Sequence, residues 1–263
     1  MLDKSSYFQL PANVTFVGHA TVLVEMCGIK ILTDPVFRRR LWHLRRHKDV
    51  PPISMDLESV DAIVLSHMHF DHMDYPSLRM IPSWVPIIVP QGGTRYLQKK
   101  VLHDIIEMRE GDSVAIGGVE IKAAPSLHET GFYWPFWFPS TVLSYLFRGP
   151  QTVYFIGDTA LFDRMQDLGL DHEIDLALLP VWGYGPYLRG HHLTPADAAH
   201  ALSLLSPRVA VPIHWGTLFP LGPFWSKMSF LKDPPHTFAW EAARVAPDTD
   251  VRVLHPGEST LIS

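Results

Sequence analysis

The chain has 263 residues, 47% of them hydrophobic and 19% charged, which supports a buried core and excludes the disordered class of proteins. Its net charge of −5 argues against nucleic acid as a partner, because nucleic-acid binding needs a basic surface. A single cysteine, Cys27, excludes an internal disulfide. The sequence predicts no signal peptide and no transmembrane segment, so we expect a cytoplasmic protein. We also expect one domain over residues 1–263.

Short apolar and β-branched runs predict strands along much of the chain. They lie at Val14 to Val17, Thr21 to Met26, Ile29 to Thr33, Ala62 to Leu65, Ile87 to Val89, Ser113 to Ile116, Val119 to Ala123, Val142 to Phe147 and Val153 to Ile156. Helices are predicted at Gly93 to Leu102 and at Pro195 to Leu205, the second with Thr194 as its N-cap. Strands first, then strands alternating with helices, predict an α/β (α+β) fold of two mixed sheets with helices outside.

The segment SHMHFDHMD, residues 66–74, directly follows the predicted strand that ends at Leu65. If its backbone stays extended, His67 and His69 point the same way and can bind one ion, while the next turn directs Asp71 and His72 at another. Imidazole and carboxylate are common ligands of zinc and similar metals. The pattern therefore predicts a metal site; the alternative is a polar loop whose histidines bind nothing.

The HxHxDH motif of residues 67–72 resembles the signature of the metallo-β-lactamase superfamily, whose fold is a four-layer αβ/βα sandwich. The resemblance implies three further metal ligands at later strand ends. His128, Asp158 and His214 each follow an apolar run and match these expected positions. Singly, each of the three would more often be an ordinary polar loop residue, but their order along the chain favours the ligand interpretation.

The resemblance implies seven metal ligands in two groups that share Asp158, namely His67, His69 and His128 for one divalent cation and Asp71, His72 and His214 for the other. Zn²⁺ is the expected metal, with Mn²⁺ and Fe²⁺ as alternatives. A hydroxide shared by the two ions would be the nucleophile, with Asp158 as a catalytic residue, so no serine or cysteine nucleophile is needed. Such a site would keep a net charge of about +1 and favour anionic substrates.

Further motifs resemble one branch of the superfamily, which holds enzymes like N-acyl-phosphatidylethanolamine phospholipase D and hydrolases like ascorbate-phosphate lactonase. They are GHAT at 18–21, LTDP at 32–35, GDT at 157–159, HLTP at 192–195, IHWGT at 213–217 and HPGES at 255–259. This resemblance implies a phosphodiesterase acting on a phospholipid-like or other anionic substrate. Hydrolysis of a lactone, such as that of a phosphorylated sugar acid, is the alternative; a non-catalytic metal-dependent binding or sensor protein is the alternative of another class.

Three polar residues are expected to support this chemistry. His192 matches an active-site position of the same branch, where it would orient substrate or donate a proton as a catalytic residue; its neighbour His191 is the alternative. Asp34 and His19, at predicted strand ends, are expected to orient the imidazoles of metal ligands, unless they only cap turns.

Two aromatic segments have competing interpretations. The run GFYWPFWFP at 131–139 and the segment 215–230 could wall an apolar pocket near His128 and His214, or make peripheral contact with a membrane, which would suit a lipid-like substrate. Core packing or the contact surface of an oligomer would explain them equally well.

Overall fold

The computed structural model describes residues 10–42, 44–47, 56–129, 140–183, 191–219 and 231–263, and the backbone alone at 132–133, 136–137 and 220. Its strands are β1 (Ala12–Gly18), β2 (Thr21–Met26), β3 (Ile29–Thr33), β4 (Arg40–Leu41), β5 (Leu44–Arg46), β6 (Ala62–Val64), β7 (Ile87–Pro90), β8 (Ile105–Met108), β9 (Ser113–Ile116), β10 (Val119–Pro125), β11 (Phe132–Tyr133), β12 (Phe136–Trp137), β13 (Leu143–Arg148), β14 (Thr152–Phe155), β15 (Leu176–Pro180), β16 (Val209–Ile213), β17 (Leu218–Pro220), β18 (Asp250–Val251) and β19 (Ser259–Ile262). The helices are α1 (Tyr75–Leu78), α2 (Thr94–Leu97), α3 (Arg164–Asp171), α4 (Pro195–Leu205) and α5 (Asp233–Val245), with a 3₁₀ turn at Leu57–Ser59. Within these ranges, no helix has the length and apolar character needed to cross a bilayer.

Two large mixed sheets form the framework, as the sequence predicts. Among the described residues, the first sheet has the strand order β19-β1-β2-β3-β6-β7-β8 and the second has the order β18-β16-β15-β14-β13-β10-β9. Each sheet combines antiparallel with parallel strands. The parallel neighbours are β3, β6, β7 and β8 in the first sheet and β14, β15, β16 and β18 in the second. A small sheet of order β17-β5-β4 joins the chain after β3 to the chain after β16.

The main core lies between the two large sheets. Phe16 of the first sheet and Tyr145 and Phe155 of the second belong to one cluster of fully buried side chains. The hydroxyl of Tyr145 also donates a hydrogen bond to the carbonyl of Leu65, 3.1 Å away, across this interface. Side chains of α4 and α5 join the same cluster, whereas Leu78 of α1 packs on the other face of the first sheet. This order of helix, sheet, sheet and helix is the expected sandwich.

The predicted elements agree with the structure with one difference in length. Each predicted strand is present, with ends within two residues, and α4 spans Pro195–Leu205 as predicted. Thr194 caps α4 in a full capping box with Asp197. The helix predicted over Gly93 to Leu102 spans only Thr94–Leu97, because the chain leaves the helix after Leu97 and continues in turns.

Parallel strands place their carboxyl ends at a common edge, and the two sheets bring two such edges face to face. Gly157, just after β14, adopts a φ of +65°, and a Cβ atom there would lie 2.5 Å from the Cβ of Ser66, just beyond β6. The absence of a side chain at Gly157 therefore lets the loops that follow β6 and β14 touch.

We expect Gly157→Ala to destabilise the protein through both backbone strain and the clash with Ser66. Gly111→Ala is the matched control, because Gly111 also has a positive φ (+88°), but a Cβ atom there would meet no other atom within 4 Å. The clash should make Gly157→Ala less stable than Gly111→Ala by about 1–3 kcal/mol in chemical denaturation. Equal losses in the two variants would contradict this close approach.

Candidate metal centre

Loops at one edge of the sandwich carry all seven predicted ligands. The segment 67–72 follows β6, and His128 follows β10. Asp158 follows β14 and His214 follows β16, which are separated in the second sheet by β15 alone. All seven side chains are buried or nearly so, although they come from positions as far apart as 67 and 214.

The first predicted group is assembled. The Nε2 atom of His67 lies 2.9 Å from Nδ1 of His69, and Nε2 of His128 lies 3.4 Å from the same atom. One ring nitrogen from each of the three therefore falls within 4.8 Å of the others. Nitrogens this close need a shared proton or a shared cation between them, so this group can hold a metal ion.

The second predicted group is assembled as well. Oδ2 of Asp71 lies 3.2 Å from Nε2 of His72 and 3.6 Å from Nε2 of His214, and the two imidazole nitrogens are 3.2 Å apart. His19 joins these three, with its Nε2 atom 2.9 Å from Oδ2 of Asp71. The four side chains form a second cluster whose composition suits a divalent cation.

Asp158 lies between the two groups. Its Oδ2 atom is 4.0 Å from Nε2 of both His67 and His128 and 3.3 Å from Nε2 of His72, while its Oδ1 atom is 3.2 Å from Nε2 of His214. Among the described residues, none hydrogen bonds to that buried Oδ1 atom. Ligands about 2.1 Å from one tetrahedral zinc ion lie about 3.4 Å apart, so the donor set and its spacing fit metal binding.

Hydrogen bonds from outside the two groups fix the imidazole rings. Nδ1 of His72 lies 2.6 Å from Oδ2 of Asp34, which also accepts a hydrogen bond from the hydroxyl of Ser66. Asp34 therefore has the orienting contact that the sequence predicts for it. The Ser66 hydroxyl lies 3.0 Å from Nδ1 of His67 as well, so one serine and one aspartate connect both groups.

Backbone carbonyls orient two further rings. The carbonyl of His191 lies 2.8 Å from Nδ1 of His128, and the carbonyl of Trp182 lies 2.6 Å from Nδ1 of His214. Each carbonyl accepts the Nδ1 proton, so that Nε2 is the nitrogen of each ring that can act as a ligand. The sequence carries no signal for either contact, because any residue can offer a carbonyl oxygen.

Three residues of the centre adopt left-handed backbone conformations that are uncommon for side chains other than glycine. The φ angles are +63° at His19, +35° at Asp34 and +61° at His214. Such conformations cost free energy and occur where the surrounding structure holds them in place, often at functional sites.

Burial and neighbouring charges divide the titrating groups into two sets. Burial lowers the pKa of His69 and of His192 to about 4 and that of His67 well below its usual range. For His72, burial also favours the neutral form, but Asp158, Asp71 and Asp34 outweigh it and hold the pKa well above its usual value. Burial thus favours the neutral form of His67, His69 and His192, whereas the carboxylates favour the protonated form of His72.

His192, rather than His191, faces the centre. Its Nδ1 atom lies 3.5 Å from Oδ2 of Asp158 and has no hydrogen-bond partner among the described residues, and 18% of its side chain is exposed. The His191 ring instead points away, with Nε2 3.7 Å from a carboxylate oxygen of the exposed residue Glu129. His192 therefore combines contact with the cluster and access to solvent, which a substrate-contacting residue requires.

Two further predictions concern His19 and the aromatic segments. His19 lies against the imidazole of His214, with ring centroids 4.0 Å apart, and its Nε2 atom also contacts the carboxylate of Asp71, a partner that the sequence does not predict. The aromatic run at 131–139 lies outside the residues whose side chains are described, as does most of segment 215–230. Trp215 itself is buried and stacks on Phe16, with ring centroids 6.0 Å apart, so it belongs to the core.

Comparisons with known proteins agree with this fold and centre. Residues 30–215 match the family model of the beta-lactamase superfamily domain. A UPF0173 metal-dependent hydrolase of Opitutus terrae is 31% identical over 94% of this chain and 98% of its own length. The N-acyl-phosphatidylethanolamine-hydrolyzing phospholipase D 1 of Caenorhabditis elegans is 30% identical over 79% of this chain and 64% of its own length.

A solved structure supports the same assignment at the level of the fold. The metallo hydrolase of the archaeon Ignicoccus hospitalis matches with a TM-score of 0.71 at 22% sequence identity, over 96% of this chain and 98% of its own. The predicted fold class is therefore confirmed, and the chain belongs to the metallo-β-lactamase superfamily of metal-dependent hydrolases.

Proposed function

We propose that this protein hydrolyses phosphodiesters of phospholipid-like or other anionic molecules with two divalent cations, of which zinc is the first choice and manganese or iron the alternatives. The observation that carries the proposal is the position of Asp158. A buried carboxylate that lies within 4.0 Å of ring nitrogens in both groups, with one oxygen lacking a hydrogen bond from the described residues, is suited to bridge two cations.

The side chains would divide between the cations as the spacing of their donor atoms suggests. One cation would be held by His67, His69 and His128 and the other by Asp71, His72 and His214, with Asp158 shared. Bound at this place, the cations would supply Lewis-acid chemistry: they would lower the pKa of water and stabilise negative charge on a phosphoryl oxygen. The remaining steps depend on how the chain places the substrate.

His192 is our candidate for contact with the substrate. Because its pKa is lowered by burial to about 4, its imidazole is neutral near pH 7. A neutral ring can donate or accept one hydrogen bond and so orient an oxygen of the substrate beside Asp158. The low pKa favours this orienting role over that of a proton donor, which would need a protonated ring.

The choice of phosphodiesters rests on two supports. The chain is similar to a phospholipase D of Caenorhabditis elegans over 79% of its length. The proposed set of two divalent cations, two aspartates and neutral histidines also carries net positive charge, which suits a phosphate diester. A lactone would place its carbonyl oxygen at the same position, so substrate assays must separate the two reactions.

We expect the purified protein to hold about two metal equivalents, as measured by mass spectrometry of the metals, and Asp158→Asn to lose at least one of them. The substitution keeps the shape of the side chain but removes its charge. Metal affinity should fall by at least about 100-fold and phosphodiester hydrolysis by at least about 1000-fold. Asp248→Asn, at an exposed aspartate, is the control and should change neither. Full activity in Asp158→Asn would overturn the proposal.

The substrate class can be tested with metal-loaded protein. We expect turnover of bis-p-nitrophenyl phosphate that stops on chelation and returns when metal is added back. A panel of lactones should react more slowly, because they lack the negative charge that the proposed site favours. Exclusive turnover of lactones would replace the phosphodiesterase assignment, and metal binding without turnover of either class would favour a binding or sensor protein.

The metal-free protein should become less stable as the pH falls from about 6.5 to about 4. Burial lowers the pKa of folded His19 to about 3 and those of His69 and His192 to about 4, from an ordinary value of 6.5. In this window the unfolded chain binds more protons than the folded one, so acid favours unfolding. Denaturation midpoints in the presence of chelator should fall steadily between about pH 7 and about pH 4.5, and a flat profile would contradict the cited shifts.

A further inference from the structure

We infer that His19 is a positioning residue that builds the second cation position by holding Asp71 and His214 at the same time. The inference rests on the proposed two-cation function and deepens it. His19 belongs to the turn between β1 and β2, far along the chain from both partners. The residue is 2% exposed, and a nitrogen of its ring lies in the cluster of Asp71, His72 and His214.

The side chain of His19 acts on Asp71. Its Nε2 atom lies 2.9 Å from Oδ2 of Asp71, the same oxygen that lies 3.2 Å from Nε2 of His72. A carboxylate oxygen has two lone pairs, so Oδ2 can accept the hydrogen bond from His19 and still face a cation. This hydrogen bond fixes the rotamer of a ligand that could otherwise turn away.

The backbone and ring of His19 act on His214. The amide of His214 donates a hydrogen bond to the carbonyl of His19 over 2.9 Å, and the two rings lie with their centroids 4.0 Å apart. The amide of His19 donates in turn to the hydroxyl of Thr217, 3.0 Å away. His19 and His214 both have positive φ angles, of +63° and +61°, so each loop holds the other in an uncommon conformation.

Direct ligation by His19 is the competing interpretation, since its ring nitrogen lies within the same cluster as Asp71, His72 and His214. The short contact between Nε2 and the Asp71 carboxylate favours the positioning role, because one nitrogen cannot donate its proton and bind a metal at once. The first group, formed by His67, His69 and His128, has no part in these contacts of His19, so its cation should be unaffected by a change there.

Two substitutions separate the side-chain contact from the backbone conformation. Asparagine readily adopts a positive φ, but its side chain is too short to replace Nε2 of histidine. Glutamine adopts a positive φ less readily, but its side-chain amide nitrogen reaches about as far as Nε2 of histidine and can donate a hydrogen bond to Asp71. If the contact matters, His19→Asn should impair the second cation position and His19→Gln should restore most of it.

Titration of the metal-free protein with Zn²⁺ by calorimetry, and with Co²⁺ by visible absorption, measures the two equivalents separately. We expect His19→Asn to bind the first equivalent like the wild type and the second about 10–100-fold more weakly, with a reduced absorption change for that step. His19→Gln should recover the second step. His200→Asn, at an exposed histidine of α4, is the matched control and should behave like the wild type.

The outcomes distinguish this inference from the proposed function. If His19→Asn binds both metal equivalents normally, or if the asparagine and glutamine variants lose affinity equally, the role inferred for His19 is overturned. The proposed two-cation function would still stand. A wild-type protein that binds only one equivalent would overturn the two-cation proposal and this inference with it. If His19→Asn does not fold, Thr217→Val replaces it, because it removes the hydroxyl that holds the His19 amide; an unchanged second step in that variant would also refute the inference.

Discussion

The organisation of this protein depends on three aspartate side chains that are buried among histidine rings. Asp34, Asp71 and Asp158 are each at most 2% exposed, and each lies close to Nδ1 or Nε2 of His72. Carboxylates are costly to remove from water unless positive charge compensates them. Burial meanwhile keeps several of the surrounding imidazoles neutral, so they supply lone pairs rather than charge. The centre therefore combines buried carboxylates with neutral nitrogen donors, a combination that suits divalent cations.

The fold stabilises this unfavourable cluster by drawing its members from two rigid sheets. Residues 67–72 continue β6 of the first sheet, whereas Asp158 and His214 continue β14 and β16 of the second. The large apolar core between the sheets fixes where these strand ends lie, and the hydrogen bond from Tyr145 to the carbonyl of Leu65 ties the sheets together next to the centre. Packing far from the predicted ligands thus sets the distances between them.

Much of this arrangement could be predicted from the sequence because its signals are local. Alternation and β-branched runs identify strands such as β2 and β10, Thr194 and Pro195 mark the start of α4, and residues 67–72 concentrate ligand-type side chains at a strand end. Other features leave no such signal. The predictions did not include β15, because its five residues are apolar throughout and such a stretch suits helix and strand alike. They did not include α3 or α5 either.

Other features of the centre could not be predicted because they depend on contacts between groups that are far apart in the sequence. Trp182 and His191 matter to the centre through their carbonyl oxygens, which no residue type reveals. His19 is predicted to support an imidazole, but its contact with the Asp71 carboxylate is not predicted. The sequence places His19 after a predicted strand, yet its contact with Asp71 follows from a left-handed turn held by the loop around His214. Candidate ligands can therefore be predicted from residue type and order, while the distances between them arise only when the two sheets meet.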